Sequence, residues 1–210
     1  SAEVTVMNRP AGVILAGGRS SRMGVTRKAL VELNGQPLLN YVTDRLETHL
    51  QPLLLSCESE TTDFDGFGLT LVADLLPGFR GPLMGLYSAL EHLANKECSN
   101  GLLLCPCDAP FIPANLVQVL LDVHQGGNGK VIAVSYQGVL QPTFSLWQNH
   151  HLGAVRDAVI EQGRGGLKHL LTSLPHEVVE WPTAEPAPFF NINTPEDLES
   201  AEQWLDRMRS

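Results

Sequence analysis

An apolar segment that stops at two consecutive glycines constrains the fold of this chain more than any other feature. Residues 13–15 read Val-Ile-Leu, a composition that predicts a buried strand, and Gly17 and Gly18 follow after one alanine. Glycine lets the backbone turn tightly and approach a ligand closely, because no Cβ atom intervenes. We therefore expect a strand that opens directly into a ligand-binding loop.

Positive charge is concentrated in the segment after the glycines. Four basic residues lie within ten positions, and two serines stand among them: Arg19, Ser20, Ser21, Arg22, Arg27 and Lys28. The whole chain has a net charge of −9, so this is a local basic site in an acidic protein. Backbone N–H groups and hydroxyls in such a loop suit a phosphate chain. The alternative interpretation is a tight turn with a solvated basic face.

The glycine spacing excludes two common phosphate-binding motifs. The Walker A motif requires a glycine followed by lysine and a hydroxyl residue, whereas Gly24 is followed by Val25. The dinucleotide fingerprint GxGxxG also fails, because the glycines stand at positions 17, 18 and 24. The pattern Leu-Ala-Gly-Gly-x-Ser-x-Arg-Met-Gly followed by a lysine resembles instead that of the nucleotidyltransferase superfamily, whose members activate sugars and cofactors with nucleoside triphosphates.

The composition indicates one globular domain spanning residues 1–210, with residues 1–10 as a flexible, processed or added end. Hydrophobic residues make up 43% of the chain and charged residues 18%, which is typical of a folded protein. No apolar run approaches the roughly 20 residues that span a bilayer, and the first ten residues lack a signal-peptide core. We expect a cytoplasmic protein that binds neither membrane nor nucleic acid, since its net charge opposes binding to a phosphate backbone.

The four cysteines predict no chemistry of their own. Cys105 and Cys107 flank a single proline, which is not the CxxC spacing of a redox or zinc site. Cys57 and Cys98 provide no second pair with such a spacing. We therefore interpret all four as small hydrophobic side chains that are buried in the fold.

Predicted strands and helices alternate along the chain, which favours an α/β fold. We expect a Rossmann-like, three-layer arrangement with a mainly parallel sheet and an antiparallel element in the second half, where Pro142 predicts an edge or a bulge. The predicted helices span residues 37–49, 83–95, 113–123, 148–161, 166–173 and 195–207. The predicted strands span residues 13–15, 52–56, 69–73, 101–105, 131–135, 139–146, 177–181 and 189–192.

Glycines and carboxylates follow three of the predicted strands. Gly17 and Gly18 follow the first, Asp74 the third and Asp108 the fourth. Because ligands bind outside the carboxyl ends of parallel strands, we expect these residues to line one cleft. Asp108 is the candidate for holding Mg²⁺, with a helix cap as its alternative role. Asp74 either touches the base or ribose of a nucleotide or simply ends its strand.

Other polar residues are candidates for contacts to the reacting groups. Lys28 and Arg22 are expected to stabilise charge as it moves to a leaving pyrophosphate, a transfer that needs no protein nucleophile. Asn191 and Asn193 stand two residues apart at the end of a predicted strand, which places both amides on one face. One of them is expected to reach the metal or the ligand, while Asn193 has capping of the last helix as its alternative role.

Together, these motifs resemble those of the molybdenum cofactor guanylyltransferase family, whose members join GMP from GTP to molybdopterin. The resemblance extends from residue 13 to the last predicted helix. It rests on Leu-Ala-Gly-Gly (15–18), Arg-Met-Gly (22–24) with Lys28, Leu-Asn-Gly-Gln-Pro-Leu (33–38), Gly-Pro-Leu-Met-Gly (81–85), Pro-Cys-Asp-Ala-Pro (106–110), Gln-Pro-Thr (141–143) and Asn-Ile-Asn-Thr-Pro (191–195).

The resemblance implies roles for individual residues. GTP would be bound by Leu15, Ala16, Gly17, Gly18 and Lys28, with Asp74 at the guanosine and Asp108 at Mg²⁺. Two positions depart from the family pattern. Arg27 stands where many relatives have an acid, and Ser56 stands where some have an asparagine that contacts the nucleotide. Ser56 is retained here as a candidate nucleotide contact.

The acceptor side of the site is less closely defined by the sequence. Its candidates are Pro142, Thr143, Arg156, Arg164 and Lys168, with surface solvation as the alternative for the three cations. The implied function is transfer of GMP from GTP to the phosphate of molybdenum-bound molybdopterin, with other cofactor-biosynthesis proteins and molybdoenzymes as candidate partners. The alternatives are a cytidylyl- or sugar-nucleotide transferase of the same fold and a non-catalytic module that binds a nucleotide and delivers cofactor.

Overall fold

Strands and helices alternate through the parts of the chain that the computed structural model describes, which are residues 9–17, 27–78, 81–96, 100–125, 129–161 and 166–210. The strands are β1 (Ala11–Leu15), β2 (Glu32–Leu33), β3 (Gln36–Pro37), β4 (Leu53–Cys57), β5 (Thr70–Ala73), β6 (Leu102–Pro106), β7 (Val131–Tyr136), β8 (Val139–Trp147) and β9 (His176–Trp181). The helices are α1 (Leu38–Leu46), α2 (Pro82–Leu93), α3 (Leu116–Gln125), α4 (Leu152–Ile160), α5 (Gly166–Ser173) and α6 (Pro195–Met208).

Seven of the described strands form one sheet, in the order β5-β4-β1-β6-β8-β7-β9. β1 pairs in parallel with β4 and β6, β4 with β5, and β7 with β9. Among these strands β8 pairs antiparallel with both of its neighbours, β6 and β7. The expected mainly parallel sheet with an antiparallel element in the second half is confirmed.

Helices cover both faces of the sheet, and the alternation of side chains along β1 shows why. Ile14 points into an apolar core shared with Leu39 of α1 and Leu116 of α3. Its neighbour Val13 points to the other face, into the core beneath α2, α4 and α5 that contains Leu86. The chain therefore has the three layers that were expected. None of the described helices combines the length and the apolar composition that crossing a bilayer requires.

A third apolar cluster holds α6 against the β2–β3 hairpin. Leu205 of α6 belongs to this cluster, together with Leu33 of the hairpin and the fully buried Ile192. The Ile192 N–H donates to the carbonyl of Asp108 at 3.0 Å. Packing of α6 thus brings the residues that precede it to the loop after β6.

The segment before α6 differs from its prediction as a strand. Residues 189–192 form turns and extended chain without strand pairing. Phe189 packs on the rings of Phe144 and Trp181, while Ile192 joins the cluster beneath α6. The apolar side chains of this segment therefore anchor a loop at two places, which a pattern of hydrophobic residues cannot distinguish from a strand.

The proline in β8 lies in a bulge. Ala133 of β7 faces Ser145 of β8, whereas the next residue, Val134, faces Gln141. Residues 142–144 therefore have no counterpart on β7, and Pro142, which lacks an N–H donor, lies among them. The Ser145 hydroxyl donates to the Pro142 carbonyl at 2.7 Å and closes the bulge. Because β8 lies inside the sheet, the bulge alternative of the prediction is confirmed and the edge alternative is wrong.

Gly85 lets α2 approach the ends of β1 and β4. A Cβ atom at this position would lie 2.5 Å from Cδ2 of Leu15 and 2.8 Å from Oγ of Ser56, both shorter than van der Waals contact allows. Leu15 and Ser56 face each other in the register of β1 and β4. The first turns of α2 are therefore seated over the carboxyl ends of two adjacent strands.

Replacing Gly85 by alanine is expected to lower the free energy of unfolding by about 1–3 kcal/mol, because the added methyl group overpacks this junction. Gly153→Ala in α4 is the matched control, since nothing lies within 4 Å of its added Cβ atom. It should instead stabilise the protein by about 0.5–1 kcal/mol through helix propensity. Urea denaturation measures both values, and equal effects would contradict the steric role of Gly85.

Candidate active site

The carboxyl ends of four parallel strands meet at one edge of the sheet. β5, β4, β1 and β6 are consecutive in that order and pair in parallel. Asp74 directly follows β5, and Gly17 and Asp108 lie two residues beyond β1 and β6. The structure therefore brings these three residues to the same edge, as the sequence predicted. Gly18 and Arg22 lie outside the described residues.

Hydrogen bonds tie the chain after β1 to the chain after β6. The Cys107 N–H donates to the Leu15 carbonyl at 3.0 Å, and the Cys107 thiol donates to the Ala16 carbonyl at 3.2 Å. On the other side, the Ala16 N–H donates to the Ser56 carbonyl at 3.0 Å. Gly17 follows with a φ of +70°, a left-handed conformation that favours glycine. The start of the glycine loop is thus held between β4 and β6.

The described cysteines are buried and free, as the sequence led us to expect. Burial raises the pKa of the Cys57 thiol to about 11 and that of Cys105 to about 12. Burial, reinforced by the charge of Asp108, also raises the pKa of Cys107 well above its ordinary value. These thiols therefore remain protonated at neutral pH, and those of Cys105 and Cys107 donate to backbone carbonyls. Cys98 lies outside the described residues.

The ammonium group of Lys28 joins two polar side chains at the same edge. Lys28 Nζ lies 2.5 Å from Oδ2 of Asp108 and also donates to Oδ1 of Asn193. The side chain of Asp108 is only 8% exposed, so its charge requires a close partner. We refer to Lys28, Asp108 and Asn193 as the Lys28 cluster. It combines a cation, a buried carboxylate and a neutral amide within contact distance.

Arg27, the cation next in sequence to Lys28, is engaged elsewhere. Its Nε donates to Oδ2 of Asp63 at 2.9 Å. Its guanidinium also lies over the ring of Phe64, 6.0 Å from the ring centroid. Of these two adjacent cations, Lys28 is therefore the one that meets Asp108.

The segment before α6 flanks the Lys28 cluster. Asn193 is exposed and reaches Lys28, whereas the buried Oδ1 of Asn191 has no hydrogen-bond partner in the described part of the chain. Between them, the Ile192 N–H binds the Asp108 carbonyl. The prediction that a strand presents both amides on one face is wrong, because this segment is a loop. Both asparagines nevertheless lie next to a residue that is bonded to Asp108.

Thr194, and not Asn193, caps α6. The Thr194 hydroxyl accepts a hydrogen bond from the Asp197 N–H at 3.1 Å, and the Asp197 carboxylate accepts one from the Thr194 N–H at 3.1 Å. The predicted start of the last helix at residue 195 is confirmed, and the alternative capping role of Asn193 is wrong. Sequence reasoning did not select Asp197 as a site residue, because its spacing from Thr194 indicates only a helix start.

Asp74 lies at the far side of the edge, in surroundings that disfavour its charge. Burial, with a further contribution from the Glu58 carboxylate, raises the pKa of Asp74 to about 6. Its N–H donates to the Cys57 carbonyl at 2.9 Å and continues the pairing of β5 with β4. The nearby Ser56 is only 6% exposed, and its hydroxyl faces Gly85 of α2. Ser56 thus lies at the edge but beneath the helix.

The candidates for the acceptor side occupy different positions. Pro142 and Thr143 are half-buried in the β8 bulge. Because β8 runs antiparallel to β6, this part of β8 lies toward the carboxyl end of β6. Lys168 is exposed in the first turn of α5. Arg164 lies outside the described residues.

The position of Arg156 corrects its assignment to the acceptor side. Its Nε donates to Oε1 of Glu91 at 3.1 Å, which joins α4 to α2. Glu91 lies six residues beyond Gly85 along a helix that starts over the carboxyl ends of the strands and runs back across the sheet. Arg156 therefore lies toward the opposite edge of the sheet, in an ion pair that sequence alone does not reveal.

This chain is similar over most of its length to proteins of one family. Residues 12–178 match the family described as the MobA-like NTP transferase domain. The molybdenum cofactor guanylyltransferase of Rhizobium rhizogenes is 37% identical over 199 residues, which cover 91% of this chain and 90% of that protein. The protein of the same name from Rhodopseudomonas palustris is 34% identical over 192 residues, or 91% of each chain.

Solved structures of lower sequence similarity share the fold. Molybdopterin-guanine dinucleotide biosynthesis protein A from Archaeoglobus fulgidus superposes with a TM-score of 0.75 at 22% identity, covering 94% of this chain and 100% of that one. A CMP:2-keto-3-deoxy-manno-octonic acid synthetase complexed with CTP gives 0.71 at 13% identity, covering 95% and 99%. With the family match over most of its length and relatives above 30% identity, the chain belongs to the MobA-like NTP transferases, among the molybdenum cofactor guanylyltransferases.

Proposed function

We propose that this chain transfers GMP from GTP to the phosphate of molybdenum-bound molybdopterin, forming the guanine dinucleotide cofactor and pyrophosphate. The names of its full-length relatives support this reaction. The observation that carries the proposal is the Lys28 cluster, which lies at the carboxyl end of β6 beside the start of the glycine loop. A cation next to a buried carboxylate at this position suits a triphosphate and its counter-ion.

The nucleotide would span the edge from β5 to β6. Three strand spacings separate these strands, or about 14 Å, which suits an extended nucleoside triphosphate. The guanine would lie at Asp74, whose carboxylate can accept from the N–H donors of the base. The phosphates would lie near Gly17 and Lys28, with Ala16 and Leu15 contributing backbone and Ser56 supporting the nucleotide from beneath. Gly18 and Arg22 are proposed for the same phosphates.

The chemistry requires positioning and charge stabilisation. An oxygen of the acceptor phosphate attacks the α-phosphorus of GTP, and a new P–O bond forms as the bond to the bridging oxygen of the β-phosphate breaks. The electron pair of that bond leaves with pyrophosphate. Lys28 would stabilise the negative charge that develops on the leaving group, so the protein supplies no nucleophile.

The residues present fit a magnesium ion. Mg²⁺ binds oxygen ligands and is commonly held by one or two carboxylates together with substrate phosphates and water. Within the described residues no three His, Cys, Asp or Glu side chains converge on a metal position, so the phosphates would supply ligands. Asp108 would hold the ion, and the buried, unpartnered Oδ1 of Asn191 offers a second protein oxygen. The bound ion would shield the phosphate oxygens.

The acceptor would approach from the side of β8. Pro142 and Thr143 in the bulge support this placement because they lie toward the carboxyl end of β6. Lys168 and Arg164 are retained as candidate partners of the acceptor phosphate. Cofactor-biosynthesis proteins and molybdoenzymes remain the proposed protein partners, and we propose that the reaction takes place in the cytoplasm.

The direct test of the function is release of pyrophosphate from GTP in the presence of Mg²⁺ and molybdopterin. We expect release with GTP and little with CTP or UTP at equal concentration. A preference for CTP or UTP would replace the proposal by a cytidylyl- or sugar-nucleotide transferase. Binding of GTP without release of pyrophosphate would indicate a module that delivers cofactor.

Replacement of Asp108 by asparagine is expected to lower the rate of pyrophosphate release by about a hundredfold or more, because the carboxylate that would hold Mg²⁺ is lost. Asp122→Asn is the matched control, since Asp122 is exposed on α3 and bonds Gln118 of the same helix. Circular dichroism checks that both variants fold. Turnover of Asp108→Asn close to that of Asp122→Asn would remove Asp108 from the mechanism.

The affinity for GTP is expected to depend on the charge of Asp74. Because its pKa is raised to about 6, the carboxylate is present above that pH and is lost as the pH falls through it. If only the carboxylate binds the base, affinity should fall by about tenfold between pH 7 and pH 5. Calorimetric titration with GTP across this range measures the change.

Two variants separate Asp74 from the titration of the nucleotide itself. Asp74→Asn should bind GTP more weakly and retain only the pH dependence that comes from the γ-phosphate. Glu58→Gln removes one cause of the raised pKa and should move the midpoint to lower pH. A pH profile shared by all three proteins would contradict a role for Asp74 in binding the base.

A further inference from the structure

Asp197 makes a contact that a helix cap does not require. Its Oδ2 accepts from the N–H of Thr194 at 3.1 Å, which completes the capping box of α6. The same oxygen accepts from the N–H of Asn193 at 2.9 Å, one residue outside the cap. Two consecutive backbone N–H groups are therefore held by one carboxylate, and this fixes the peptide that carries Asn193.

Asn193 is the member of the Lys28 cluster that packing does not hold. It is exposed, whereas Asp108 is buried in the cluster. Its neighbour Ile192 is fixed by its buried side chain and by its bond to the Asp108 carbonyl. Asp197 supplies the corresponding restraint on the other side. The backbone of Asn193 is thus fastened from both directions while its side chain reaches Lys28.

The neutral amide oxygen of Asn193, as a hydrogen-bond acceptor, can act on Lys28 in a way that the buried carboxylate of Asp108 cannot. Lysine is a flexible point charge, and an amide oxygen can orient its ammonium group without cancelling the charge. Asp108 both orients and neutralises Lys28. When a substrate counter-ion engages Asp108, Asn193 still holds the ammonium at the edge of the sheet. The orientation of Lys28 then depends on how firmly Asn193 itself is placed.

We infer that Asp197 is a positioning residue for GMP transfer, acting through Asn193 on Lys28. This inference rests on the proposed function and adds to it a residue that touches neither substrate nor counter-ion. The path runs from the Asp197 carboxylate to the Asn193 N–H, and from the Asn193 amide oxygen to the Lys28 ammonium. Replacing Asp197 is therefore expected to lower turnover as well as the stability of the protein.

The capping box itself provides a matched pair of variants. Asp197→Ala and Thr194→Ala each remove one half of the cap, so each should lower the Tm by about 2–4 °C. Only Asp197→Ala also releases the N–H of Asn193. We expect it to lower kcat/KM for GTP by about tenfold, against about twofold or less for Thr194→Ala. Asp197→Asn, whose amide oxygen still accepts, should recover most of the loss.

A double-mutant cycle separates positioning from general destabilisation. In an Asn193→Ala background the side chain that Asp197 positions is absent, so Asp197→Ala should lower the Tm but cause no further loss of kcat/KM. Independent, multiplicative losses in kcat/KM would overturn the inference. Equal kcat/KM for Asp197→Ala and Thr194→Ala in the unaltered background would also overturn it.

The unaltered protein distinguishes failure of the inference from failure of the proposed function. If it releases pyrophosphate from GTP and the two cap variants are equally active, the positioning role alone is overturned. If it transfers no GMP in the presence of Mg²⁺ and molybdopterin, the proposed function is overturned and the inference falls with it.

Discussion

The parallel register of β1 with its two neighbours decides where the polar groups of this protein meet. Because β4, β1 and β6 run in one direction, the chains that leave them emerge at a single edge of the sheet. The hydrogen bonds from Cys107 to Leu15 and Ala16 continue this register past the strand ends. They fix the position of Gly17 relative to Asp108 along the strand direction. A slip of the register would separate them, since each residue advances the strand by about 3.3 Å.

The Lys28 cluster adds an electrostatic condition to this geometry. A buried carboxylate is stable only beside a positive charge, and Lys28 provides it in the protein alone. A polyphosphate that attracts Lys28 leaves Asp108 unpaired unless another cation takes its place. If a nucleotide binds as proposed, the cluster would link the anionic phosphates to their counter-ion through the contact between Lys28 and Asp108. The Asn193 amide, which accepts a hydrogen bond from Lys28, would keep the ammonium group at the edge while it changes partners.

The sequence allowed us to predict which residues follow the strand ends. It did not predict the contacts made between residues that are far apart in the chain. Gly17, Asp74 and Asp108 could be placed together because each follows its own strand, and parallel strands end at the same edge of the sheet. Asn193 meets Lys28 across 165 positions, and Arg156 meets Glu91 across 65, so no local pattern reports either contact. The misassigned strand at residues 189–192 has the same cause: its apolar side chains pack against elements on both sides of it.

Because β8 runs in the reverse direction, the strands on the two sides of the candidate site are connected differently. On the side of β5, β4 and β1, each strand end opens into a connection that must return through a helix or a long loop. On the other side, β7 turns directly into β8 through Gln137 and Gly138, and the Glu180 carboxylate on β9 accepts from the N–H of Gly138 at 3.1 Å. A tight hairpin and a bulge can be lengthened or reshaped without moving β1 or β6. Pro142 and Thr143, which are proposed to contact the acceptor, therefore lie on a hairpin that can change in length without altering the strand ends proposed to hold the nucleotide.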